Sequence, residues 1–544
     1  MHANVLNLFD RTIREARLDI ENGRIATIAY HGPESPTLPY LLPGFVDAHV
    51  HIESSMLTPS QFARLAVVHG TVATVSDPHE IGNVLGVAGV EYMIEDSRRG
   101  PFKFCFGAPS CVPATVFETA GATIGPKDVC KLLSMKEIGY LAEVMNYPGV
   151  LNEDPDMMEK IALAKACNKP IDGHAPGLRG DNARRYAAAG ITTDHECFTY
   201  AEAREKIDYG MNILIREGSA AKNFDALIPL LAEFPNKIMF CSDDKHPDSL
   251  AEGHINALVK RALTLGYDLF DVLQAACLNP VLHYRLPVGL LREGDPADFI
   301  LVDNLLDFNI LKTYLDGKLA AENGHSLLPN LRSEHVNNFN CLSKKPADFI
   351  LSVSTDITTL RIIQVIDCQL ITNSIEEDIR IQNGIIGSDV ERDILKITVV
   401  NRYKDARPAV AFIRNFGLKS GAIASSVGHD SHNIIAVGCD DESLCRAVNA
   451  VIAAQGGVSA VGNGHEHILP LPIAGLMTDR DGYEVADAYT RLDQFVKLEL
   501  KSTLTSPFMS LSFMALLVIP SLKISDQGLF DGDQFSFVSL TGMG

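Results

Sequence analysis

No two of the 11 cysteines stand at CxxC spacing; they scatter from Cys105 to Cys445, and their number is odd. That removes the spacing of redox and zinc pairs and argues against a disulfide framework. The start, MHANVLNLFDRTIREARLDI, has no apolar targeting core, so a reduced, cytoplasmic setting is expected. No apolar run is long enough to cross a bilayer. The longest, FMALLVIP at 513–520, ends in proline and is read as a buried element. Basic residues are scarce: 47 Lys and Arg against 68 Asp and Glu leave a net charge of −21. Nucleic acid and anionic membrane are therefore poor partners, while a small neutral substrate is not excluded. No internal repeat or low-complexity segment is present, and no GxGxxG follows the first long apolar strand, which weighs against a dinucleotide fold.

What is present is a long alternation. At 544 residues and 46% hydrophobic, the chain is too long for one ordinary domain and has ample material for a large core. ARLDIENGRIATIAY reads as two strands joined by Asn22-Gly23. Apolar β-type runs follow at 44–49, 71–76, 102–107, 139–145, 169–174, 190–195, 210–215 and 237–242. Helical stretches such as PDMMEKIALAKACNK and AEGHINALVKRALTLGY lie between most of them. Eight strand–helix alternations predict an α/β fold, a (β/α)8 barrel over 44–284. Short strands in PVGLLREGDPADFILVDN and ILKTYLDGKLAAENG are expected to join the N-terminal hairpin in a small β-sandwich domain of 1–43 and 285–335. A polar, irregular stretch at 330–350 reads as a linker. A C-terminal α+β domain is expected over 345–544, with strands in DFILSVSTD, IRIQNGIIG and DILKITVVNRY and a helix in DESLCRAVNAVIAAQGG.

Chemistry in such a barrel sits at the C-terminal ends of its strands. Strand one ends in VDAHVHIESS, where period-two geometry turns His49 and His51 to the same side, into the mouth. Strand four carries Glu143, strand five ends in His174, strand six in His195 and strand eight in Asp243. One such histidine is ordinarily a satisfied core residue. Six donor-type side chains at the ends of five strands predict a site for zinc, iron or manganese, with the strand-four carboxylate able to bridge two cations about 3.5 Å apart. Glu53 falls beyond the strand, where pocket or helix-start work with Ser54 and Ser55 is expected.

GFVDAHVH, GHAPGL, DHE and SDD, in that order on a barrel, resemble the amidohydrolase superfamily. DPHEIGNV, EVMNYPGV, GHAPGLRG, IREGSAAKN, CSDDKHP and, further on, VGHDSHN are similar to its free-base adenine deaminase branch over nearly the whole chain. That resemblance implies two divalent metal ions, manganese or iron with zinc as a further choice, held by His49, His51, His174, His195 and Asp243, with Glu143 as the bridge. It also implies hydrolytic deamination of adenine to hypoxanthine and ammonia in purine salvage, with water attacking C6 of the purine base, by a homodimer. Asp243 is placed to shuttle the proton from water to the leaving amine. Glu80 is the candidate acid facing N1, with His79 as its orienter or a further ligand. Ser219 and Asp244 are candidates for substrate binding or support of the site, and VGHDSHN for a loop that closes the mouth. GNGHEHILP, with its His465 and His467, is expected to be structural or part of a lid. The rivals are a cyclic-amide hydrolase, a sugar-amide deacetylase, a nucleoside deaminase and a barrel retained only as a scaffold.

Overall fold

The computed structural model describes residues 1–352, 359–378, 381–382 and 384–541. Its centre is a parallel barrel whose strands run Phe45–His51, Thr71–Ser76, Lys103–Ala108, Ile138–Val144, Ile171–Gly173, Thr193–Asp194, Asn212–Arg216 and Ile238–Cys241. The first two are buried along their whole length, which is why they read as unbroken apolar runs rather than as alternating ones. Strands one to five form one ladder and strands six to eight a second. The chain closes the ring through Asp243–Asp244, which extends strand eight and pairs with Val50 and His51 of strand one. Strands five and six are much shorter than the sequence predicts. Pro170 removes a donor at the entrance to strand five. A Cβ on Gly173 would stand 2.4 Å from the Thr193 carbonyl oxygen, so only glycine lets these two strands approach.

The N-terminal hairpin forms as read. Glu21 pairs with Arg24, and Asn22 and Gly23 take φ values of 50° and 78°, the left-handed pair that a tight two-residue turn requires. Segments from both sides of the barrel then share one continuous eight-stranded ladder, with Tyr40–Pro43 between His2–Asn7 and Phe299–Val302. Val5, Leu18, Leu41 and Phe299 lie in its common core.

The third region is an eight-stranded sheet with the helix Asp441–Ala453 against it. Asp440 caps that helix by accepting the Ser443 N–H, and Leu444, Val448 and Val451 bury its inner face. Of the strands expected here, Ile394–Val400 lies inside DILKITVVNRY, and Ile381–Gln382 and Ile385–Ile386 lie inside IRIQNGIIG. Leu351–Ser352 begins the one expected in DFILSVSTD, whose remainder falls mostly outside the described residues. The stretch before it is irregular, as expected for a linker, but is tied down: the Ser333 N–H donates to Asp479 (3.0 Å) and the Asn340 N–H to the Arg402 carbonyl (2.7 Å). The C-terminal domain sits over the barrel mouth. Thr119, in the loop after strand three, donates its N–H to Asp526 (2.9 Å), Asn433 donates to the Thr119 carbonyl (2.9 Å), and Phe117 packs among Phe530, Phe535 and Phe537. Among the described residues, no helix is long and apolar enough to cross a membrane.

Candidate metal centre

Strand one delivers His49 and His51 side by side, both buried, with their Nε2 atoms 3.2 Å apart. Strand four brings Glu143 between the histidines. Its Oε1 stands 3.4 Å from His51 Nε2, and its Oε2 stands 2.8 Å from His174 Nδ1 and 3.1 Å from His195 Nε2. Asp243 closes the other side, with Oδ1 3.5 Å from His49 Nε2 and 3.4 Å from His51 Nε2. The six residues singled out by strand position thus converge on one place. Donors held about 2.1 Å from a common ion stand roughly 3.0–3.5 Å from one another, close to the 2.8–3.5 Å seen here. His49 Nδ1 and His174 Nε2 are buried with no hydrogen-bond partner. A donor set that is crowded, mixed imidazole and carboxylate, and incompletely hydrogen-bonded fits divalent cations better than it fits itself.

The local backbone and charges favour this arrangement. Asp243 has φ of 54°, a left-handed conformation that a non-glycine residue rarely adopts and that places its carboxyl across the mouth. Burial alone would push the Asp243 carboxyl up, but the Arg216 guanidinium, 2.7 Å away, and then His49 and His51 hold it well below the usual carboxylate range. Glu143 is held low against its burial in the same way, by His174 and then His195. In His174 burial opposes protonation, but the charges of Glu143 and Glu196 win and push it up to about 9. Protons therefore compete with any cation for this imidazole. Behind the donors, Asp47 accepts the Ser242 N–H (3.0 Å) and faces His254 Nε2 (2.7 Å), which fixes the turn into Asp243.

The remaining sequence candidates divide. His79 joins the cluster, with Nδ1 3.3 Å from Asp77 and 3.6 Å from Glu143, and Nε2 3.5 Å from Asp430. Asp244 lines the cavity beside the donors and accepts the Ser54 hydroxyl (2.6 Å). Glu80 is fully buried next to it. Its Oε1 stands 2.9 Å from the same Ser54 hydroxyl oxygen, and its Oε2 has no hydrogen-bond partner. Burial, and then the charges of Glu53 and Asp244, hold Glu80 well above the usual carboxylate range. Ser219 is not brought to this cavity. Its hydroxyl accepts the His246 N–H (2.9 Å) and meets Ser249 (3.0 Å), pinning the loop after strand eight. Glu53, expected to do pocket or helix-start work beside Ser54 and Ser55, accepts the Ile81 N–H (3.2 Å) in the first turn of the next strand's helix, His79–Leu85.

Sequence reasoning missed one part of the site and saw only a piece of another. Glu196, directly after His195, accepts Arg216 and completes a chain from Glu196 through Arg216 to Asp243. Its signal was the acidic residue in DHE. The second is the roof. Leu370, His429, Asp430, Phe513 and Leu516, all from the C-terminal region, face the donors across a cavity of about 20 Å3. That is room for little more than one water, so a ligand of any size enters only when the roof withdraws. GHDSHN pointed to part of this roof. Nothing local marked Leu370, and FMALLVIP was legible only as buried. The GHEH segment lies instead on the exposed edge strand His465–Pro470.

The amidohydrolase family model matches residues 40–320, and the model described as the adenine deaminase C-terminal domain matches residues 369–536. The chain is 58% identical over 540 residues to an adenine deaminase of Sulfurovum sp. (strain NBC37-1), covering 99% of each chain. The chain belongs to the adenine deaminase family of amidohydrolases. An adenine deaminase of Salinibacter ruber is 57% identical over 98% of this chain and 97% of its own, and one of Methanosarcina mazei is 50% identical over 98% of each. Among solved structures, a beta-aspartyl dipeptidase from Fervidobacterium islandicum AW-1 overlays 61% of this chain and 98% of its own, with a TM-score of 0.45 and 15% identity. Membership of an amidohydrolase family implies divalent metal use, and the donor clusters around Glu143 and Asp243 are candidate positions for it.

Proposed function

We propose that the protein hydrolyses adenine to hypoxanthine and ammonia, and that His49, His51, His174, His195 and Asp243, with Glu143 shared, hold two divalent ions, manganese or iron before zinc. The observation that carries the reading is the convergence of all six donors under a roof supplied by the adenine-deaminase-type C-terminal domain. Two divalent ions held by these residues would supply Lewis acidity, which brings the pKa of water towards neutrality. Asp243, kept ionised by Arg216, accepts the proton of the attacking water and returns it to the departing amine, which is a poor leaving group until protonated. Addition at C6 pushes electron density onto N1. Glu80, whose carboxyl is held well above the usual range by burial beside two other carboxyls, donates its proton to that nitrogen and recovers one from the C6 hydroxyl as the product carbonyl forms. The roof excludes bulk water while this occurs.

Scattered free thiols support a cytoplasmic setting. Participation in purine salvage and a homodimeric state rest on the family likeness; a light-scattering mass of the purified protein checks the latter. The decisive experiment follows adenine absorbance and ammonia release after chelation and re-addition of manganese, iron or zinc. Metal-restored loss of adenine with stoichiometric ammonia is the expected result. A cyclic-amide hydrolase or a sugar-amide deacetylase would release no ammonia from adenine. An enzyme that turns adenine over equally well in excess chelator would refute the metal assignment.

A further inference from the structure

The roof holds two buried polar atoms without a hydrogen-bond partner, His429 Nε2 and Asp430 Oδ2, and only the second is a carboxylate oxygen. Five carboxyl residues line the cavity. Glu143 and Asp243 belong to the donor cluster, Glu196 is consumed by Arg216, and Asp244 accepts Ser54. Asp430 differs from all four. It is 3% exposed, its Oδ1 stands 3.5 Å from His79 Nε2, and its Oδ2 is buried with no hydrogen-bond partner. The rest of the roof is apolar or aromatic. His429 lies nearly parallel to Phe513, at 5.1 Å and 22°, and Leu370, Leu516 and Met145 complete the wall. Once the roof withdraws far enough to admit a ligand, an apolar and aromatic wall that carries one free carboxylate oxygen suits a planar ligand that presents one N–H.

We propose that Asp430 determines specificity for the free base: its Oδ2 accepts the N–H of the purine's five-membered ring. This rests on the substrate reading above. One imidazole, His79, separates Asp430 from Glu143, so the carboxylate stands one side chain back from the donor cluster, a remove at which the far ring of a purine reacting at C6 would meet it. An unsubstituted purine carries an N–H on that ring. A nucleoside carries its sugar there and has no proton to give. A buried acceptor left unpaired by the wrong ligand discriminates far more strongly than an apolar pocket does, by about 10^4-fold or more.

The test compares kcat/KM for adenine, 9-methyladenine and 7-methyladenine in the metal-loaded enzyme. Each methylated base lacks the ring N–H while adding little bulk. The wild type should prefer adenine by about 10^3-fold or more. Asp430→Ala should lose most of its turnover of adenine yet keep that of the methylated bases, so the preference falls below about tenfold. Asp430→Asn, which retains an amide oxygen, should fall between, and both variants should keep their bound metal. If adenine and its methylated forms decline together in Asp430→Ala, the residue merely supports the fold and the proposal is overturned. A wild type that accepts 9-methyladenine within tenfold of adenine overturns it without any variant. A metal-loaded wild type that leaves adenine untouched sinks the substrate reading itself, and this assignment with it.

Discussion

At the scale of single residues, the proposed mechanism separates holding from proton transfer. Asp243 touches two histidines through one oxygen and Arg216 through the other. Asp243→Asn keeps the shape and one oxygen donor but cannot carry a proton. We predict a fall in kcat of about 10^3-fold or more with metal content near that of the wild type; turnover of the metal-loaded variant and elemental analysis together check it. Retention of most activity would assign the shuttle elsewhere. The surroundings of Glu80 disfavour its charge and hold its carboxyl well above the usual range, so Glu80→Gln preserves packing and hydrogen-bond donation while removing the transferable proton. Its chemical step should slow by about 10^2-fold, read in single-turnover kinetics, with substrate affinity little changed.

At the scale of elements, the loop after strand three, at 109–124, ties the barrel to the roof. It carries Glu118, a buried carboxyl pushed up to about 8, chiefly by burial and then by the charge of Asp430. The folded protein therefore keeps the Glu118 proton where the unfolded chain, with a pKa near 4.5, has released it. Stability from this group is fully present below about pH 4.5 and declines as pH rises towards 8. Glu118→Gln imitates the protonated form at every pH. Its melting temperature should exceed that of the wild type at pH 8 by several degrees, with the advantage nearly gone at pH 5. Parallel melting curves across that range would contradict the buried, protonated state.

At the scale of the whole molecule, three regions that look separable along the chain act as one. The β domain is assembled from segments more than 250 residues apart, and the C-terminal sheet provides the roof over donors from the barrel. Ions bound by the proposed donors on strands one, four, five, six and eight would tie the ring together and stabilise only the folded state. Exhaustive chelation should lower the melting temperature by several degrees in calorimetry, and manganese should restore it. Because His174 holds a proton up to about pH 9 in the absence of a cation, each ion must displace protons, so affinity should rise with pH towards that value. Titration calorimetry with manganese at pH 6 and pH 8 checks this; equal affinity would mean that the imidazole is already deprotonated.

The barrel was legible because its strands are buried on both faces and its helices are not, so the alternation is written directly into hydrophobic periodicity. The six donors were legible for the same reason: once strand ends are located, His49, His51, Glu143, His174, His195 and Asp243 are the polar residues at those ends. The resemblance carried by DPHE and EVMNYPG took the reading as far as a family. What the sequence left open is set by contacts between residues far apart in the chain. Nothing near Arg216 specifies that it bridges Glu196 and Asp243, nothing in the local pattern withdraws Ser219 from the cavity, and Leu370 and Phe513 look like any other core residues. Periodicity records which face a residue turns inward, whereas the partner it meets there depends on how the strands and domains close on one another. That closure placed Asp430 opposite the metal donors.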